Sequence, residues 1–184
     1  MYRRLLPSAL ALLAVLALPA CDETGPTETD AELIVGTWDA TTANVRIENV
    51  PVGIPVANLA AADDEQAFSF EADGDFAFVF DPDDDRRLTI SYEGTTYVDV
   101  ALPDGPVEIE GTYALDEDDE EIHFSVTSGA ADDFHLGYDV SSGSLELTFE
   151  DPETLALLLG LADADLAEVA EFVTGASIRY SKLL

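Results

Sequence analysis

Lysine is almost missing from this chain. Lys182 is the only one, and Lys and Arg together number 7 against 39 Asp and Glu, a formal net charge of −32 at pH 7. Binding to nucleic acid rests on Lys and Arg clusters that displace counterions from phosphates, so this balance argues against that partner class. Anionic lipid headgroups are disfavoured by the same repulsion. Cysteine is as scarce: Cys21 stands alone, so no disulfide can close within the chain. There is no Gly-x-Ser-x-Gly turn and no glycine loop to cradle phosphate, and neither histidine falls on an inward position from which it could serve a serine. Carboxylates abound, but a carboxyl group kept protonated for acid catalysis needs an apolar setting, and most of these fall on polar positions. The chain is therefore read as no enzyme, with no catalytic residue and no cofactor. Its one long apolar run, residues 9–18, is too short to cross a bilayer.

What is present begins with that run. Arg3 and Arg4 precede it and Pro19-Ala20-Cys21 follows it. A basic start, an apolar segment of about ten residues and a small residue before the cut make an export signal, which leaves residues 1–20 outside the fold. Leu18-Pro19-Ala20-Cys21 resembles the lipobox of bacterial lipoproteins, in which the cysteine is diacylated and becomes the new first residue. The resemblance implies lipidation of Cys21 and an exported protein anchored to the cell membrane or the outer membrane, periplasmic or surface-exposed. One acyl chain binds only marginally, whereas two or three hold durably. Asp22 after that cysteine resembles an inner-membrane retention signal of enteric bacteria, and the pair Asp22-Glu23 resembles a surface-export signal of other groups. Residues 21–31 read as the lipidated cysteine and an acidic tether, polar and without apolar periodicity. At no more than about 3.5 Å per residue it keeps the domain within roughly 35 Å of the membrane.

Beyond the signal, five basic residues remain against the 39 acidic ones, yet 47% of the chain is hydrophobic. That content argues for one folded domain with a core, residues 32–184, and puts the acid on its surface. Self-repulsion of this size destabilises a compact domain in dilute buffer, and molar salt, with a Debye length of about 3 Å, largely removes it. The composition resembles that of proteins from salt-dwelling microbes and implies a halophilic setting. A solvated acidic face is the plain reading, with a cationic ligand or basic partner surface as the alternative.

From Leu33 the apolar residues recur with period two, the mark of strands with one buried face. Phe68 and Phe70 alternate with polar neighbours, Asp73-Gly74 makes a hairpin turn, and Phe76, Phe78 and Phe80 follow. Leu88, Ile90 and Tyr92; Val98, Val100 and Leu102; Ile109, Tyr113 and Leu115; Ile122, Phe124 and Val126; Phe134, Leu136 and Tyr138; and Leu145, Leu147 and Phe149 continue the series. Strands at this spacing with turn residues between them predict a mainly β protein, an antiparallel up-and-down barrel of about 8–10 strands. One helix interrupts the order before the last strand. Asp151 is its N-cap, Pro152 opens its first turn, Gly160 and Ala162-Asp163 are points where it can split, and Thr174-Gly175 ends it by a glycine C-cap. Residues 177–184 then form a closing strand, and residues 51–65 read as a loop with a short strand or helical turn over the barrel mouth.

Leu33-Ile34-Val35-Gly36-Thr37-Trp38-Asp39 resembles the first strand of lipocalins and of bacterial lipocalin-like lipoproteins, whose hallmark is Gly-x-Trp. Asp73-Gly74-Asp75-Phe76, Gly111-Thr112-Tyr113 and Ser144-Leu145-Glu146-Leu147-Thr148-Phe149 are similar to recurrent features of that bacterial group. The likeness covers residues 32–184. It implies a calycin-type barrel in which an arginine from near the chain's end covers the first-strand Trp, here Trp38 and Arg179. The family carries its helix after the barrel, and this chain carries it before the last strand.

An eight-stranded barrel is just wide enough to pack solid or to hold one small ligand. Phe68, Phe70, Phe76, Phe78, Phe80, Ile90, Tyr92, Phe124, Leu136 and Leu147 serve either outcome, and the reading adopted is a pocket for a small apolar ligand in a monomeric envelope protein. The alternative is a filled barrel that acts as a structural or protein-interaction module of the envelope. A third reading is a calcium- or metal-dependent surface module. His123 and His135 fall on outward positions of neighbouring strands near Glu121 and Asp133, a set suited to zinc or copper. The clusters at residues 81–85 and 116–121 offer oxygens to calcium but lack EF-hand spacing. Solvated faces explain both, and no metal is assigned.

Overall fold

The structure is a computed structural model that describes residues 28–47, 50–54, 66–82, 86–129 and 131–183. Cys21, the export signal and most of the acidic tether lie outside the described residues, as do residues 55–65 of the segment expected over the barrel mouth and residues 83–85 of the first acidic cluster.

Period-two alternation gives the strands one buried face. In β3 (Gln66–Phe70) and β4 (Asp75–Phe80) every second residue is buried, from Gln66, Phe68 and Phe70 to Phe76, Phe78 and Phe80. Gly74 at φ +93° makes the reversal between them, a conformation open to glycine at no steric cost. Six further strands carry the pattern round: β1 (Gly36–Ile47), β7 (Val107–Asp116), β8 (Glu121–Ser128), β9 (Phe134–Val140), β10 (Ser144–Phe149) and β11 (Val173–Lys182). The ring order β1-β3-β4-β7-β8-β9-β10-β11 closes by antiparallel pairing of β11 with β1, from Trp38 opposite Lys182 to Ile47 opposite Val173. The fold is thus a closed eight-stranded antiparallel barrel, as the alternation predicts.

Three features depart from a simple meander. First, β4 pairs with β7, and the intervening β5 (Arg87–Tyr92) and β6 (Thr95–Ala101) form a two-stranded sheet of their own, outside the ring. Ile90 and Tyr92 therefore belong to this hairpin and not to the barrel wall. Secondly, β1 is 12 residues long. Its first residues pair with β3 and its last, from Ala43 to Ile47, with β2 (Val50–Ile54), so β1 leads out of the barrel into the smaller sheet's neighbourhood. Thirdly, Leu33 and Ile34 are not strand but the end of a short helix, α1 (Asp30–Ile34). Thr29 caps it through a capping box with Glu32, which satisfies otherwise orphaned donors on both sides of the turn. Asp30 and Ala31, expected at the end of the tether, belong to α1.

The expected helix is two: α2 (Pro152–Leu158) and α3 (Asp163–Phe172), parted at Gly160, whose φ is +66°. Asp151 caps α2, its carboxylate accepting from the Glu153 N–H. The glycine stop expected at Thr174-Gly175 does not occur, because Val173 is already extended and opens β11. Its side chain is buried in the core, and strand pairing there outweighs the helical pattern.

The strand directions sort these parts to two ends. The β3–β4, β7–β8 and β9–β10 turns lie with α1 at one end. At the other, β2, the β5–β6 hairpin, α2 and α3 form a small lobe, with Leu88, Val100, Leu155, Leu159 and Val169 continuous with the barrel core. Tyr97 of β6 meets Phe172 of α3 edge-on, ring centres 5.8 Å apart, and the Asp99 N–H donates to Glu168 at 3.2 Å.

Candidate functional site

Inside the barrel the aromatic side chains meet one another. The Phe68 ring lies 5.6 Å from Phe70, 4.7 Å from Phe78, 5.9 Å from Phe124 and 5.7 Å from Tyr180, centre to centre. Phe124 in turn stacks on Phe134 at 4.5 Å and meets Phe76 edge-on at 4.8 Å. Phe80, Leu136 and Leu147 complete the buried set. Such ring pairs contribute about 0.5–1.5 kcal/mol each beyond the area they bury. A small apolar ligand needs several hundred Å³. The apolar cavity between barrel and lobe, lined by Ala43, Val45, Leu88, Leu155, Leu159 and Ile178, holds ≈ 10 Å³, about the room for one water.

Gln66 and Tyr180 are buried in this interior, and among the described residues neither the Gln66 Oε1 nor the Tyr180 hydroxyl has a hydrogen-bond partner. Burial pushes the Tyr180 hydroxyl pKa well above its usual range. The inward place of Gln66 was available from the sequence, since it lies two residues before Phe68 in the same alternation.

Trp38 is fully buried at the α1 end, and its Nε1 donates to the Ile34 carbonyl at 2.6 Å. The cation over its ring is Lys182, with Nζ 5.1 Å from the ring centre, and not Arg179. The reason is register: Lys182 is the residue opposite Trp38, while Arg179 lies opposite Thr42 on the outer face. Lys182 Nζ also donates to the Leu33 carbonyl at 2.9 Å. Arg179 instead pairs with Glu146 across β10 at 2.6 Å and holds that carboxyl below the usual range. Gly36 completes the arrangement. Its φ is +133°, and a Cβ there would stand 2.8 Å from the Lys182 Cε. Asp30 accepts from the Tyr138 hydroxyl at 3.0 Å, tying α1 to β9. Burial first, and this bond second, raise the Tyr138 pKa far above normal.

On the outer face, His123 and His135 do stand opposite each other, ring centres 5.9 Å apart. Glu121 Oε2 lies 3.6 Å from His123 Nε2. Asp133 is occupied elsewhere, accepting from the Val126 N–H at 2.8 Å and clasping the β8–β9 loop. Asp116 likewise accepts from the Asp118 and Asp119 N–H groups within its own turn. As the side chains stand, no three His, Cys, Asp or Glu groups among the described residues converge as a metal cluster. No helix among them is long and apolar enough to cross a membrane.

Comparisons with protein-family models, with curated proteins and with solved structures find no match to this chain.

Proposed function

We propose that this chain is an exported, lipid-anchored envelope protein whose single lipocalin-like barrel is filled, and that it works without catalysis as a structural or protein-interaction module. The observation that carries this reading is the contact of Phe68 with four other rings at 4.7–5.9 Å, which supports assigning the phenylalanines to the packed core. The same residues would line a carrier's pocket, so the two readings differ in volume and not in composition.

Export and anchoring rest on the basic start, the apolar run and the lipobox-like Leu18-Pro19-Ala20-Cys21. On this reading a tether from Cys21 joins the domain at α1, the end opposite the lobe of β2, β5–β6, α2 and α3. The charge of −32 supports a salt-rich setting and a solvated surface.

Two experiments test the proposal. Titration of the full chain in detergent with a fluorescent fatty acid gives no saturable uptake; tight one-to-one uptake overturns the filled barrel in favour of an apolar-ligand carrier. Cys21→Ser moves the protein from the membrane to the soluble fraction, and a variant that stays in the membrane overturns the lipid anchor.

A further inference from the structure

We propose that His123, His135 and Glu121 form a surface site for a divalent late transition ion, of the zinc, nickel or copper class. The two imidazoles come from directly paired positions on β8 and β9, their ring planes 32° apart and their centres 5.9 Å apart. Two imidazoles that bind one ion at about 2.0–2.1 Å bring their ring centres to about 5 Å in tetrahedral geometry. The ring centres thus stand about 1 Å further apart than in a bridging arrangement; the three side chains do not converge on one point as they stand, and binding draws them together by rotation about exposed side-chain bonds.

Glu121 lies two residues before His123 on the same strand, hence on the same face. Its Oε2 stands 3.6 Å from His123 Nε2, and neighbouring ligands around a tetrahedral zinc are separated by about 3.3 Å. Across from Glu121 is Gly137, which sends no side chain over the spot, so water completes the coordination. His135, Gly137 and Glu121, but not His123, border a surface depression of ≈ 580 Å³ that also touches Asp133 and Glu150, and these carboxylates raise the local concentration of any cation. Imidazole selects the class of ion. Calcium and magnesium favour oxygen ligands alone, whereas zinc, nickel and copper take nitrogen readily.

Zinc titration of the full chain in detergent, in molar NaCl with excess magnesium to mask the carboxylate surface, tests this site. The outcome expected is one saturable equivalent of zinc, weakened at least tenfold by His123→Ala or by His135→Ala and less by Glu121→Gln. Magnesium-masked titrations in which wild type binds no zinc, or in which both histidine variants bind as tightly as wild type, overturn the site. Both histidines lie on the outer face, so the variants keep the wild-type far-UV circular dichroism and melting temperature without metal. A loss of zinc binding without that signature would reflect misfolding, and then His123→Gln and His135→Gln, which keep size and polarity, must still bind at least tenfold more weakly than wild type for the site to stand.

Discussion

At the scale of single residues, the Gly36-Thr37-Trp38 element is explained by what surrounds it. Gly36 leaves room for the stem of Lys182, Lys182 covers the Trp38 ring and holds the Leu33 carbonyl, and Trp38 holds the Ile34 carbonyl. The only lysine in the chain is thus part of the structure. Lys182→Met removes the cation contact and a charged hydrogen bond and is expected to cost about 1–3 kcal/mol in chemical denaturation. Arg179→Ala leaves the midpoint nearly unchanged, because its pair with Glu146 is exposed. Equal losses from both variants would contradict the placement of Lys182 over Trp38. Tyr180→Phe removes a buried hydroxyl without a partner and is expected to raise stability by about 1 kcal/mol; a loss of that size would mean the hydroxyl has a partner.

The tyrosines also set the alkaline limit. Burial leads in raising the Tyr113, Tyr138 and Tyr180 pKa values, and an unfolded tyrosine ionises near about pH 10. Above that pH the unfolded chain sheds protons that the folded one keeps, so the tyrosines' contribution to stability is level below about pH 10 and falls beyond it. Tyr180→Phe makes that fall shallower in a pH series of denaturation curves.

At the scale of elements, the barrel was legible where alternation is long and strict. The Phe68 to Phe80 hairpin and the strands at residues 121–149 follow from period two and their turns. The leap from β4 to β7 was not, because the β5–β6 residues alternate just as well; a hairpin pairs locally whether or not it also joins the ring. Nor was α1 legible. Leu33 and Ile34 continue the strand pattern, and the capping box of Thr29 and Glu32 wins over that short range. The facing of His123 and His135 was readable as a possibility, and the register of β8 against β9 decides it. The Trp38 partner failed for the same reason, three residues along β11.

At a bulge between Glu110 and Gly111, β7 slips against β8. A Cβ on Gly111 would fall onto the Ser125 carbonyl and within 2.9 Å of the Phe76 ring. Gly111→Ala is expected to cost about 2 kcal/mol or more, since backbone on one side and a packed ring on the other cannot yield cheaply. An unchanged urea midpoint would contradict this account of the bulge.

At the scale of the whole molecule, a packed core inside a shell of carboxylates sets two opposed forces against each other. Ring packing and apolar burial hold the barrel, and a net charge of −32 strains it. Raising NaCl from about 0.1 to 2 M is expected to lift the melting temperature by roughly 10 °C, several kcal/mol at about 2–4 °C per kcal/mol for a domain of this size. A flat response would show that the acidic shell is without cost. In the proposed reading, with α1 at one end of the barrel and the lobe at the other, the outer surface is the place of action. The measurement that tests this most directly is the non-denaturing mass of the protein purified from its native host. The filled barrel predicts the polypeptide with its covalent modifications and nothing more, whereas a one-to-one apolar molecule that survives detergent exchange and leaves only on unfolding would contradict it.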